Sequence, residues 1–207
     1  MQEKPTDQEL ISGCLQKDPK AQKNLFERYR SEVYKVSFRY SLNRPEAEDI
    51  LQDTFIRVFE RIGQFKGTGS LKNWILKITM NTALEKFRKK KHLIFKNDLE
   101  KVDAGFDDHS FNNEYHFTMK QLSEIIKQMP KGYRIVFTLY AYDHFSHKKI
   151  AEMLDISENT SKSQLSRARK YLKNELERLQ KKEMINFNST IKSGVIGGFA
   201  LVLNEIG

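Results

Sequence analysis

The sequence predicts an all-α fold of two small helical domains joined by an acidic linker, with a helix-turn-helix in the second domain. Apolar residues recur at helical spacing through most of the chain. Gly and Pro, which interrupt helices, number only 10 and 4 in 207 residues. The periodicity fades over 94–114, where two lysines and six acidic residues give a local charge of −4. The predicted domains are therefore 1–93 and 115–182, followed by an apolar C-terminal tail at 183–207.

Four helices are predicted in the first domain. Asp18-Pro19 ends the first helix, Pro45 suits the first turn of the third, and Gly63 ends the third. The fourth helix ends in a strongly basic stretch, EKFRKKK. The apolar spacing places these helices at about 10–15, 25–40, 50–62 and 71–91.

The second domain carries a pattern typical of a helix-turn-helix. Ser146 and Ser157 are the predicted N-caps of two helices, and residues 155–157 form a three-residue turn between them. The second helix, TSKSQLSRARKYL at 160–172, has one apolar edge and a broad basic face when residues are placed at about 100° intervals. Its apolar edge contains Leu165, Ala168 and Leu172, and its basic face contains Lys162, Ser163, Ser166, Arg167 and Lys170. Phosphates and major-groove base edges accept hydrogen bonds from such side chains.

Composition favours a polyanionic partner and predicts no bound metal or other cofactor. The 36 Lys+Arg against 27 Asp+Glu give a net charge of +9, which suits either nucleic acid or an anionic membrane. The single cysteine, Cys14, excludes an internal disulfide, and the five histidines show no metal-ligand pattern. No signal-peptide pattern opens the chain, and the apolar run at 195–203 is shorter than the roughly 20 residues of a membrane span. We therefore expect a cytoplasmic protein without a membrane span.

Two alternative functions remain open from these residues. A helix-turn-helix also occurs in stand-alone transcription regulators, although the first domain lacks the heptads or ligand-pocket pattern that such a dimer needs. Asp49 and Asp53, four residues apart on one helix face, also fit half of the site of a metal-dependent nucleic-acid-processing enzyme. No further carboxylate or histidine motif accompanies them.

Motifs in both domains resemble a known family. They are AEDILQDTFIRVF at 47–59, FKG at 65–67 and WILKITMNTA at 74–83, then MP at 129–130, IAEML at 150–154 and SQLSRAR at 163–169. In this order they resemble bacterial RNA polymerase sigma factors of the extracytoplasmic-function (ECF) subfamily, over residues 8 to 178. The resemblance implies a non-enzymatic protein that binds core RNA polymerase, recognises the −10 and −35 promoter elements and promotes promoter melting.

The resemblance also implies roles for individual residues. The third helix would dock on the clamp helices of the largest polymerase subunit through Asp49, Gln52, Asp53, Arg57 and Phe59. Recognition of the −10 element falls to Leu71, where many relatives carry an aromatic residue, and to Asn81. Phosphate contacts in the first domain fall to Arg88, Lys89, Lys90 and Lys91.

In the second domain, the resemblance places the helix at 160–172 in the major groove of the −35 element. Lys162, Ser163 and Ser166 would read bases there, while Arg167, Lys170, Lys148 and Lys149 would contact phosphates. The acidic linker would follow the cationic cleft of the polymerase. Family members are commonly held inactive by an anti-sigma factor, and the sequence leaves open whether this chain has one.

Overall fold

A computed structural model describes the backbone of residues 5–99 and 118–203, and the side chains of 5–91, 94, 118 and 120–182. The described residues form α-helices and no β-strand. In the N-terminal half the helices are α1 (Asp7–Leu15), α2 (Pro19–Tyr40), α3 (Arg44–Arg61) and α4 (Leu71–Leu99). In the C-terminal half they are α5 (Met119–Gln128), α6 (Lys131–Phe137), α7 (His147–Leu154) and α8 (Glu158–Leu203). A 3₁₀ turn (Ile62–Gln64) follows α3, and a π-helical turn (Thr138–Tyr142) follows α6. The all-α prediction is confirmed.

Local side chains determine where the helices of the N-terminal half begin. Thr6 and Glu9 form a capping box at the start of α1, with reciprocal hydrogen bonds to each other's backbone N–H groups. Asp18 caps α2, with Pro19 in its first turn, and Asn43 caps α3. Each cap satisfies backbone donors that the first helical turn leaves unpaired.

The helices of the N-terminal half enclose a core of their own. Leu25 and Val33 of α2 and Ile75 of α4 are fully buried and pack with Val58 of α3. Trp74, half-buried, packs against this core, with its ring centroid 5.7 Å from that of Phe65. The core fixes the relative orientation of α3 and α4, which carry the proposed polymerase-docking and −10 residues.

The C-terminal half contains the predicted helix-turn-helix. Ser146 Oγ accepts a hydrogen bond from the N–H of Lys149 to cap α7, and Ser157 Oγ accepts one from the N–H of Thr160, 2.9 Å away, at the start of α8. Asp155 ends α7 in the left-handed conformation, with φ of 56°. This conformation reverses the chain sharply and is accessible to Asp at modest cost. The predicted caps and turn are therefore confirmed.

The two halves pack against each other and share a second core. Ala83, Leu84 and Phe87 of α4 join a cluster with Leu139 and Leu154 of the C-terminal half. All five side chains are no more than 3% exposed. The sequence predicts two separate helical domains and gives no sign of this shared core.

Helix boundaries differ from the predictions at two places. α4 continues to Leu99, beyond its expected end near residue 91 and into the predicted linker, and Ile94 packs against the shared core. α8 runs without interruption to Leu203 and so takes in most of the predicted tail at 183–207. The rest of the predicted linker, 100–114, and the predicted start of the second domain at 115 lie outside the described residues.

Candidate nucleic-acid interface

The proposed base-reading residues lie on the first turns of α8. Lys162 is exposed, and its Nζ lies 2.9 Å from a carboxylate oxygen of Glu158. Ser163 and Ser166 are half-buried, and Ser163 Oγ donates a hydrogen bond to the carbonyl of Thr160 at 3.0 Å. Lys162 is therefore the most accessible of the three. The helical spacing used in the sequence analysis places all three on the exposed face.

The cations proposed to contact phosphates in this half lie on α7 and α8. Lys148 and Lys170 are exposed and, within the described part of the chain, make no hydrogen bond or ion pair. Lys149 is exposed and pairs with Glu152 of its own helix at 2.9 Å. Arg167 is half-buried, and its buried Nε has no hydrogen-bond partner among the described residues. Both α7 and α8 therefore carry exposed cationic donors that an anionic partner could contact.

The opposite edge of α8 is anchored inside the C-terminal half. Leu165, Ala168 and Leu172 are at most 4% exposed, as the sequence predicts. His147 Nδ1 lies 2.9 Å from the buried Ser161 Oγ, and its ring stacks on Tyr140 at 4.7 Å. Burial, followed by the nearby Lys162, lowers the pKa of His147 below its ordinary value. The imidazole is therefore neutral near pH 7 and adds no charge to the interface.

Most of the cations at the end of α4 already contact other groups of the chain. Arg88 Nη1 donates to the carbonyl of Met153 at 3.3 Å, and Lys91 Nζ contacts both the carboxylate and the carbonyl of Asp155. Lys89 pairs with Glu85 on its own helix at 3.2 Å, and Lys90 is exposed. Arg88 and Lys91 therefore bind the turn region of the helix-turn-helix.

A cavity of about 340 Å³ lies where α3, α4 and α7 meet. It brings together Asn81, proposed to read the −10 element, and Arg57, proposed to contact polymerase. Glu85 forms a 2.7 Å ion pair with Arg57, and hydrogen bonds from Arg57 and then Lys89 lower its pKa to about 2. The cavity is lined by Arg57, Arg61, Asn81, Leu84, Glu85, Arg88 and Met153. Three arginines against one carboxylate make it a cationic recess.

The structure corrects the role expected for Leu71 in −10 recognition. Its side chain is 2% exposed and belongs to the core of the N-terminal half. Leu71 is the first residue of α4, and its apolar side chain turns inward to close that core. It therefore does not present a surface on which an unpaired base can stack.

The proposed docking residues occupy one exposed side of α3. Asp49 and Gln52 are exposed, and Asp53 pairs with Lys86 of α4 at 2.8 Å. Phe59 is half-buried against the core of the N-terminal half, so only part of its ring is accessible. Ile56, which the sequence analysis does not single out, is 56% exposed on the same helix. An apolar side chain with that exposure, beside Gln52 and Asp53, extends this surface.

The described residues do not support a metal centre at Asp49 and Asp53. Asp53 forms an ion pair with Lys86, and the part of the chain that is described contains no group of three or more His, Cys, Asp or Glu suited to hold a metal ion.

Among the helices with described residues, none combines the length and apolar character required to cross a bilayer.

Comparisons with known proteins identify the same two regions. Residues 25–93 match the family described as Sigma-70 region 2, and residues 119–172 match Sigma-70, region 4. The ECF RNA polymerase sigma-E factor of Haemophilus influenzae is 29% identical over 189 residues, which cover 86% of this chain and all of that protein. The sigma-E factor of Escherichia coli K12 is 26% identical over 86% of this chain and 98% of its own. Sigma factor SigV of Bacillus subtilis is 24% identical over 85% of this chain and 96% of its own.

A solved structure also resembles the chain. It is the sigma factor RpoE in complex with the anti-sigma factor NepR from Bartonella quintana, with a TM-score of 0.43, 21% identity, and coverage of 75% of this chain and 96% of that one. The family matches and the curated relatives agree with the motifs in both halves. This chain belongs to the ECF subfamily of RNA polymerase sigma factors and is a transcription-initiation factor rather than an enzyme.

Proposed function

We propose that this sigma factor docks on the clamp helices of core RNA polymerase through α3 and contacts the −10 and −35 elements with separate helices. The observation that best supports this proposal is the helix-turn-helix. Its second helix, α8, buries one narrow edge and exposes Lys162 and Lys170 to solvent. A helix held this way leaves its basic face free to enter a major groove about 12 Å wide.

In the −35 contact, α8 lies in the major groove with its N-terminal turns against the bases. Lys162 has the exposure and reach to donate to acceptors on base edges, and its ion pair with Glu158 is an exposed pair that DNA can replace at little cost. Lys148, Lys149 and Lys170 contact phosphates on either side of the groove. Arg167 Nε, for which no described residue supplies a hydrogen-bond partner, can turn toward the DNA backbone when DNA approaches.

In the −10 contact, Asn81 reads an unpaired base and the basic end of α4 holds the phosphates. Asn81 is exposed at the mouth of a recess that Arg57, Arg61 and Arg88 make cationic. An amide can both donate to and accept from a base edge, and the arginines neutralise the strand that carries it. Leu71 has no part in this proposal because it is buried.

Polymerase docking uses the exposed side of α3. Asp49 and Gln52 supply polar contacts at its rim, and Ile56 adds an apolar contact that polymerase would bury. Arg57 and Asp53 are held by Glu85 and Lys86, which fixes α3 against α4. An anti-sigma factor that masked this surface would inactivate the protein, as is common in the family. The protein would act in the cytoplasm, where core polymerase works.

Transcription in vitro with purified core polymerase and a library of promoters tests the proposal. We expect transcripts from a subset of promoters, and Lys162→Ala should change which promoters are used by about 5- to 150-fold, since one base contact contributes roughly 1–3 kcal/mol of discrimination. Binding of core polymerase should stay unchanged. Lys120→Ala is the matched control, because Lys120 is an exposed lysine on α5 without a proposed role.

Two results would contradict parts of the proposal. An equal loss at every promoter in Lys162→Ala would rule out base reading by that residue. A stable dimer that binds DNA and ignores core polymerase in size-exclusion chromatography would favour a stand-alone regulator.

A further inference from the structure

The first turns of α8, which carry the proposed base-reading residues, have a polar inner edge. Ser161 is fully buried there, and Gln164 is only 2% exposed. The apolar side chains that anchor α8 lie further along the helix, at Leu165, Ala168 and Leu172. Apolar packing has no preferred direction, whereas a hydrogen bond does. A polar contact at this edge therefore restricts the rotation of the first turns more closely than apolar packing does.

His147, the first residue of α7, makes such a contact. Its Nδ1 lies 2.9 Å from the Oγ of Ser161, so the two side chains share one hydrogen bond. Its ring also stacks on that of Tyr140, with the ring centroids 4.7 Å apart and the planes inclined by 23°. The stacking fixes the orientation of the imidazole, and the hydrogen bond passes that orientation on to α8.

Tyr140 connects His147 to a second point on α8. The guanidinium carbon of Arg169 lies 5.9 Å from the centre of the Tyr140 ring, within the range of a cation–π contact. Ser161 and Arg169 are eight residues apart, which is about 12 Å along the helix axis at 1.5 Å per residue. His147 and Tyr140 together therefore hold α8 at two separated positions.

A small rotation of α8 about its axis would misdirect Lys162. Lys162 follows Ser161 directly, so the buried position of Ser161 sets the direction in which Lys162 leaves the helix. Side-chain ends lie about 5–6 Å from a helix axis, so a rotation of about 20° moves them by about 2 Å. That displacement breaks a hydrogen bond to a base edge, whereas attraction to phosphates acts over a longer distance.

The protonation state of His147 affects the same contact. Burial, followed by the nearby Lys162, lowers the pKa of His147 below its ordinary value of 6.5. A proton on the ring would add a cation beside Lys162 and Arg169. The neutral contact is therefore fully present above pH 6.5 and weakens as the pH falls below it. The charged or titratable side chains around the ring are Lys162, Glu158 and Arg169 of α8, Tyr140 and, next in sequence, Lys148.

We propose that His147 is a positioning residue for −35 recognition: through Ser161 and Tyr140 it sets the rotation of the first turns of α8 and the direction in which Lys162 meets the bases. Because the proposed function assigns base reading to Lys162, this inference rests on it. His147 acts through α8, and its effect is on the discrimination between base sequences rather than on the general attraction to DNA.

Promoter binding by the polymerase holoenzyme tests this role. The probes are the most-used promoter duplex from the transcription library and the same duplex with its −35 element scrambled. The ratio of the two affinities measures −35 discrimination. His147→Phe keeps a ring against Tyr140 but loses the hydrogen bond, and it should lower the ratio by about 5- to 20-fold. Affinity for the scrambled duplex should stay within about twofold, because phosphate contacts supply it.

Two further variants isolate the hydrogen bond. Ser161→Ala removes the other partner and covers the case in which His147→Phe fails to fold. It should lower the ratio by a similar factor, and the double variant should lower it little further, because both changes remove the same bond. His147→Asn offers an amide to Ser161 in place of Nδ1, and it should restore the ratio to within about threefold of the natural chain.

The pH profile separates positioning from a merely structural role. In the natural chain the ratio should fall by about threefold between about pH 7.5 and 5.5, because protonation of His147 opposes the contact. In His147→Asn it should stay constant. His144→Asn is the matched control and should keep the natural profile, since His144 is exposed and Asn readily adopts its left-handed φ of 58°. A natural profile as flat as that of His147→Asn would contradict the proposed role.

The remaining outcomes distinguish this inference from the proposed function. If the natural chain discriminates between the duplexes and both His147→Phe and Ser161→Ala keep its ratio, His147 has no positioning role. Equal losses of affinity for both duplexes would also overturn that role, because they indicate a loss of folded structure. A natural chain that binds both duplexes equally would instead overturn −35 reading by α8, and the role of His147 with it.

Discussion

The basic end of α4 and the basic face of α8 have similar composition but different environments. On α4, Arg88 and Lys91 bind the end of α7, and Lys89 pairs with Glu85. On the helix-turn-helix, Lys148 and Lys170 are exposed without a hydrogen bond or ion pair within the described residues. Arg88 and Lys91 are thus held within the molecule, whereas Lys148 and Lys170 are available to a phosphate.

This difference shows that a basic sequence does not by itself define a DNA-binding surface. A lysine that already holds a carboxylate must break that pair before it can neutralise a phosphate, whereas an unpaired lysine releases only counterions. We therefore expect the free protein to contact duplex DNA through α8 rather than through the basic end of α4.

The largest effect is expected from a substitution in the shared core. Leu139→Ala should lower the free energy of unfolding by about 2–5 kcal/mol, because Leu139 is fully buried among residues of both halves. Trp74, the only tryptophan, lies in the N-terminal half and reports its unfolding by fluorescence. If the halves unfold together, the denaturant midpoint measured from Trp74 should fall.

Leu25→Ala, fully buried in the core of the N-terminal half, is the control that should move the same midpoint without involving the contact between halves. A fluorescence midpoint that stays constant in Leu139→Ala while the circular dichroism midpoint falls would show that the halves unfold independently.

An intermediate effect is expected in the salt dependence of binding to a −35 duplex. Lys170→Ala should reduce the log–log slope of affinity against salt by about 0.9, the value for one lost phosphate contact with B-DNA. Lys91→Ala should leave the slope of the free protein unchanged, because Lys91 is engaged with Asp155. Filter binding from low to moderate salt measures both. Equal reductions in the two variants would remove the distinction between the two basic groups.

The smallest effect is expected from the acid dependence of stability. The pKa of Glu85 is lowered to about 2 by Arg57 and Lys89, so its contribution is present above its ordinary pKa near 4.5 and is lost as the pH falls toward 2. In Glu85→Gln, the free energy of unfolding should therefore depend less on pH between 4.5 and about 2. Glu60→Gln, an exposed acid on α3, serves as the control and should preserve the original slope. Equal curves for the natural chain and Glu85→Gln would contradict the prediction.

Several elements could be predicted because local residues specify them. Ser146, Ser157 and the turn at 155–157 predict the helix-turn-helix, and hydrogen bonds at those same residues form it. The apolar edge of α8 follows from helical spacing alone. The position of Leu71 could not be predicted in this way, because the first residue of a helix can face either the core or the solvent.

The contact between the halves also could not be predicted from local sequence patterns. Glu46 and Lys131, which pair at 2.6 Å, are 85 residues apart, and nothing near either residue indicates its partner. Arg134 is in the middle of a short helix, where the sequence would suggest a solvated cation, yet it is 5% exposed. Only the packing of α6 against the N-terminal half explains its burial.

The sequence by itself determined the four helices of the first domain, the helix-turn-helix with its caps Ser146 and Ser157, and the motifs of an ECF sigma factor, because periodicity and capping act over a few residues. The tertiary structure alone decided which charged side chains are available. Pairing and burial depend on residues brought together from distant parts of the chain, and here they hold part of α4 against α7 while leaving the basic face of α8 exposed.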